Sequence, residues 1–251
     1  MDPAWPDPPP GWRHDAGDPD HAFPVPFTVF DALGMVLWTI LAQILVGVPA
    51  LALGMDPDRP VDLVLLTVTI QIATFAGVMA YLRFRGALSW RLLGPVRPGW
   101  RHVFIGMGLG VAALVIVLTV AEMVNRMFGP FENPEQALLE LEPRGAATAI
   151  LVAIATVALA PLVEETVFRG LLFQSVRRKF GLTAGMVVSA LVFAYIHVEL
   201  LGNPPAMVSL VVLGLWLAGA MHRTGSLIVP MVAHGTYNGL VLAAVALLPD
   251  M

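Results

Sequence analysis

The chain has 251 residues, 57% hydrophobic and 13% charged, with a mean hydropathy of +0.78 and a formal net charge of −4. Soluble domains carry about a quarter charged residues, so an ordinary soluble domain is a poor fit, and the negative balance argues against a nucleic-acid partner. With no cysteine, disulfides and thiolate metal sites are excluded.

Residues 1–26 contain eight prolines, with Asp and Gly filling much of the rest. Such a segment buries too little apolar surface to offset its ordering entropy. It is expected to be a disordered Pro-rich tail, and it lacks the basic start of a signal peptide.

From residue 27 the chain changes character. The windows 32–55, 63–82, 102–121 and 145–163 contain no Asp, Glu, Lys or Arg. At ~1.5 Å per residue each is long enough for a hydrocarbon core ~30 Å thick. The expected fold class is therefore all-α, a polytopic transmembrane helix bundle of seven to eight spans, forming a single domain over 27–251. Predicted helices run over 28–54, 61–84, 102–127, 145–178, 182–199, 205–222 and 226–248. Between the second and third, Arg85, Arg91, Arg97 and Arg101 alternate with Trp90 and Trp100, an interfacial mixture suited to lipid headgroups. Residues 89–93 are expected to form a short surface helix there, and the Glu-containing loop 132–142 follows the third helix. Pro161 is expected to kink or break the fourth.

Basic residues set the expected orientation. With the N-terminus inside, ten fall in inner segments and three (Arg59, Arg126 and Arg144) in outer ones. That bias favours an N-inside, C-outside arrangement.

Three polar clusters interrupt the apolar helices: Glu164, Glu165 and Arg169; Phe193-Ala194-Tyr195-Ile196-His197; and His234-Gly235-Thr236-Tyr237-Asn238. Ionisable groups inside a membrane are costly and mark function by default. Glu165 and Arg169 are four apart, as are Phe193 and His197, and His234 and Asn238, so each pair shares a helix face. Glu164 is turned about 100° from Glu165, which lets one carboxylate face Arg169 and the other face the histidines. From the inner helix ends, Glu164, His197 and His234 lie about 20, 22 and 12 Å along, so the three clusters fall in reach of one another.

The chemistry that fits is water activation. A glutamate in low dielectric beside an imidazole can hold a water and take its proton, while a second imidazole and an amide donate to an oxyanion. Glu164, His197 and His234 equally form a ligand set for a divalent metal such as zinc, although the usual His-Glu-x-x-His helix is absent. Blander readings stand beside these: ion-pair glue for Glu164, Glu165 and Arg169, a satisfied core histidine at 197, and interhelical hydrogen bonding by His234 and Asn238.

The three clusters, Glu164-Glu165-x-x-x-Arg169, Phe193-x-x-x-His197 and His234-x-x-x-Asn238, resemble the motifs of the CPBP intramembrane proteases, the CAAX-protease and bacteriocin-processing (Abi) family. The resemblance covers 145–248, a four-helix protease core. It implies a membrane-embedded endopeptidase in which Glu164 activates water, His197 helps hold it, His234 and Asn238 bind water or the oxyanion, and Glu165 and Arg169 support the base. The resemblance implies either a metal-dependent or a metal-free enzyme. No cofactor is expected, because the fourth polar group, Asn238, is an amide and a poor partner for zinc, with a divalent metal such as zinc as the alternative. Its partners would be membrane lipid and a membrane-associated or lipid-anchored peptide or protein substrate. The expected location is a bacterial plasma membrane, multi-pass, with a cytoplasmic N-terminus. The competing readings are a non-catalytic scaffold or bacteriocin self-immunity protein, and a proton-coupled transporter.

Overall fold

A computed structural model describes residues 27–56, 59–85, 99–129, 146–197 and 200–247. The expectations for the tail, the surface helix at 89–93 and the loop at 132–142 lie outside these residues. The described residues form seven helices and no strand: α1 (Val29–Ala52), α2 (Pro60–Phe84), α3 (Trp100–Phe128), α4 (146–180), α5 (Leu182–Tyr195), α6 (Pro204–Thr224) and α7 (Ile228–Leu247). By length and composition, α1, α2, α3, α4 and α6 are each able to cross a membrane, while α5 and α7 are shorter apolar helices. These helices make the chain a multi-pass integral membrane protein.

Local chemistry sets the helix ends. Thr28 caps α1 in a reciprocal box with Asp31: the Asp31 N–H donates to Thr28 Oγ1 (3.2 Å) and the Thr28 N–H donates to Asp31 Oδ2 (2.7 Å). Asn203 caps α6 by accepting from the Ala206 N–H at 3.1 Å, with Pro204 at the first helical position. Gly181, at φ 88°, lets α4 turn at once into α5, and Gly225, at φ 62°, closes α6 in the left-handed region.

The helix α4 is continuous but not uniform. It runs as α over Ala146–Ala153, π over Ile154–Leu159, α over Ala160–Glu165, π over Thr166–Phe173 and α over Gln174–Phe180. The expected break at Pro161 is thus a change of register. Pro161 has no N–H to give, and the wider π turn just before it absorbs the ring without ending the helix.

The residues Thr166 to Arg177 are all buried, making this half of α4 the centre of the bundle. Around it α1 and α2 contribute Ala32, Val36, Val78 and Leu82 to a core with Val167, Phe168, Leu171 and Phe193. Their other faces are exposed and apolar (Leu45 60%, Ile72 55%), as helices facing lipid should be. Asp31, Tyr81 and Arg85 bond to one another and pin the start of α1 to the end of α2.

Helices α3 and α7 lie side by side and run parallel. A Cβ on Gly106 would sit 2.7 Å from Val232 Cβ and 2.9 Å from Val229 O; one on Gly110 would sit 2.5 Å from Ala233 O. This Gly-x-x-x-Gly face lets the two backbones approach closely. Its effect is to fix the height and rotation of α7, which carries His234.

Candidate active site

The three clusters meet. Glu164, Phe193, His197, His234 and Asn238 line one cavity of about 250 Å³ with Thr67, Ala155, Thr156, Ala160, Leu210, Leu213 and Tyr237. Glu165 and Arg169 lie behind this wall, fully buried. The two neighbouring carboxylates therefore have separate environments, as one turn of about 100° between them requires. Glu164 is half-buried at the cavity and Glu165 is sealed in the core.

Glu165 Oε1 is shared. Arg169 Nη1 donates to it at 2.8 Å, and His234 Nδ1 lies 2.9 Å from the same oxygen. A carboxylate oxygen only accepts, so His234 carries its proton on Nδ1 and turns Nε2 toward the cavity. Glu164 Oε2 lies 3.9 Å from that Nε2, too far for a direct hydrogen bond. Arg169 is held in turn: Nη2 donates to Gly214 O at 3.2 Å, and the guanidinium sits over the Phe193 ring at 4.6 Å.

His197 is placed differently from the expectation. Helix α5 ends at Tyr195, not at 199, and His197 lies just beyond it. The reason is end chemistry: the last carbonyls of a helix lack partners, and His197 Nδ1 lies 2.8 Å from Phe193 O. A carbonyl accepts, so Nδ1 carries the proton and Nε2 is again left free. The pairing of 193 with 197 survives as a side chain folding back on its own helix end.

Phe193 is the spacer of the site. Its ring meets Phe168 (5.3 Å), His197 (5.1 Å) and His234 (5.9 Å), all edge-to-face. Both imidazole planes are therefore packed as well as hydrogen-bonded. Asn238 donates from Nδ2 to Thr156 O at 2.9 Å, which ties α7 to the first π segment of α4.

Among the described residues, no group of three or more His, Cys, Asp or Glu side chains is placed to share one ion. Glu164, His197 and His234 border the cavity without forming such a group.

The six residues singled out in the sequence lie at this cavity or directly behind it, and three relationships among them and their neighbours were not read there. The bond from Glu165 to His234 spans 69 positions and has no local signal. Thr156 enters through its backbone, so its side-chain type gave no warning. Gly106 and Gly110 did carry a signal, the small-residue spacing of packed membrane helices.

Comparison with curated proteins and with solved structures returned no match. One family model does match, over α4 to α7, a stretch that holds all seven named residues of the three motifs. Residues 146–240 match the Rce1-like family, described as type II CAAX prenyl endopeptidase Rce1-like, which is the protease family that the motifs resemble.

Proposed function

We propose that this protein is an intramembrane endopeptidase that hydrolyses a peptide bond in a membrane-associated or lipid-anchored peptide or protein. The observation that carries the proposal is the cavity shared by Glu164, His197, His234 and Asn238, with Glu165 and Arg169 packed behind it. Glu164 is the general base. A water in the cavity donates to the Glu164 carboxylate and to His197 Nε2, both of which are acceptors in this arrangement. As that water attacks the scissile carbonyl, its proton passes to Glu164. The charge that develops on the carbonyl oxygen is met by a donor from α7, the second Asn238 amide N–H, while His234 Nε2, with the ring proton on Nδ1, stands as a further acceptor toward the water. Glu164 then returns its proton to the leaving amine.

The orientation that fits has the N-terminus in the cytoplasm. Arg85 at the end of α2 and Arg178 at the end of α4 both reach the start of α1, through Asp31 and Phe27 O, so basic residues gather at one end of the bundle.

The reading is tested by incubating the purified protein with a library of membrane-anchored peptides and sequencing the new termini, beside Glu164→Ala, with and without a strong chelator. Cleavage by wild type and none by the variant is the expected result. Survival of cleavage under chelator supports Glu164 acting on water unaided; its loss supports a divalent metal at Glu164, His197 and His234. No cleavage by wild type would overturn the enzyme reading in favour of a scaffold.

A further inference from the structure

Pro161 sits three residues before Glu164, buried, in the interior of α4. In the π segment that precedes it, each N–H reaches back five residues: the Ala160 N–H donates to Ala155 O. The next bond in that register would run from residue 161 to Thr156 O, and proline has no N–H to make it. A carbonyl left alone beside a buried site is costly. Thr156 O is not alone, because Asn238 Nδ2 donates to it at 2.9 Å. The side chain of α7 stands where the backbone donor of α4 is missing.

Gly235, one turn earlier on α7, allows this approach. A Cβ there would collide with Val157 O, the carbonyl next to that of Thr156. So a proline that frees a carbonyl, a glycine that admits α7, and an amide that claims the carbonyl form one joint, at the edge of the cavity that Thr156 and Asn238 both line.

We propose that Pro161 is a positioning residue: by withholding its N–H it reserves Thr156 O for Asn238, and so fixes which edge of the Asn238 amide faces the reacting group. An amide has two N–H donors and one acceptor oxygen and is otherwise free to flip. With one N–H spent on Thr156 O, the second N–H has a defined direction. This deepens the endopeptidase reading and rests on it for its effect on rate, but the lock itself is a property of the fold.

The test is Pro161→Ala, beside Pro204→Ala as a control. Pro204 is exposed at the first position of α6, where no ladder carbonyl awaits its N–H. An alanine at 161 restores a donor aimed at Thr156 O and removes an interior helix proline. The thermal midpoint is expected to hold or rise, while kcat falls about tenfold or more at a KM within about twofold, the mark of an interaction made in the transition state. The Asn238→Ala variant should fall at least as far, and Pro161→Ala should cost nothing further in that background. A merely structural proline would lower stability and activity together, or neither. Wild-type kcat in Pro161→Ala would overturn the proposal.

A second measurement does not need an active enzyme. In protein labelled with 15N-asparagine, with the Asn238 side-chain pair assigned by its loss in Asn238→Ala, one of its two protons should exchange slowly with solvent and the other fast. Equal, fast exchange of both in the wild type would overturn the lock, whatever the protein cleaves. Absence of cleavage with the lock intact would instead sink the endopeptidase reading.

Discussion

His234 Nδ1 lies 2.9 Å from Glu165 Oε1, the same oxygen that receives Arg169 at 2.8 Å, and Glu165 and Arg169 are fully buried. One carboxylate thus balances a buried cation and orients an imidazole that lines the cavity. The second of the two adjacent glutamates is therefore as much part of the site as the first, although it never reaches the cavity.

Breaking that relationship should be costly. Glu165→Ala leaves the Arg169 guanidinium buried without its hydrogen-bonded counter-charge, and losing one partner of such a pair costs about 3–5 kcal/mol. Arg169→Ala should cost a similar amount, and the double variant much less than their sum. Equilibrium unfolding in detergent reads all three; additive losses would mean that the two side chains do not act as a pair.

The close approach of α3 and α7 makes a paired prediction. Gly106→Ala places a methyl group 2.7 Å from Val232 Cβ, and overpacking of this kind costs about 1–3 kcal/mol. It should also reduce proteolysis, since α7 carries His234. Gly108→Ala meets nothing within 4 Å and should be neutral or stabilising by up to about 1 kcal/mol. Thermal midpoints of the two variants check this; equal effects would contradict the role of the Gly106 face.

Phe193 separates the histidines and covers Arg169, so its loss should exceed that of a simple core residue. Phe193→Ala is expected to destabilise by about 3–5 kcal/mol. Phe193→Leu should recover most of the stability but not the activity, because leucine fills volume without presenting an aromatic edge or face to His197, His234 and Arg169. Cleavage rates measured on the folded leucine variant test this, with wild-type activity as the contrary result.

Most of the architecture was readable because hydrophobic runs and charge gaps report helices directly. The predicted limits of α1, α2, α3 and α6 lie within about two residues of those observed, within the usual uncertainty of helix ends. The i, i+4 spacing of Glu165 with Arg169 translated into a real ion pair. The end of α5 was placed too late because no glycine or proline marks it: the His197 side chain folds back on Phe193 O, four residues earlier, and that local cap closes the helix without a breaker residue. The π turns of α4 had a single local sign, Pro161, which signals a disturbed ladder but not whether the helix will break, kink or change register. The carbonyl that Pro161 leaves without a backbone donor is met by Asn238, 77 positions later.

The most direct test of the central claim compares Glu164→Gln with Glu165→Gln, each purified folded and assayed for peptide-bond cleavage. Glu164→Gln keeps the shape of a side chain at the cavity but removes its ability to take a proton. The account predicts a normal thermal midpoint and a loss of about 10²–10⁴ in kcat, whereas Glu165→Gln should show a lowered midpoint along with its loss of rate. Cleavage by Glu164→Gln at the wild-type rate would contradict the assignment of Glu164 as the base.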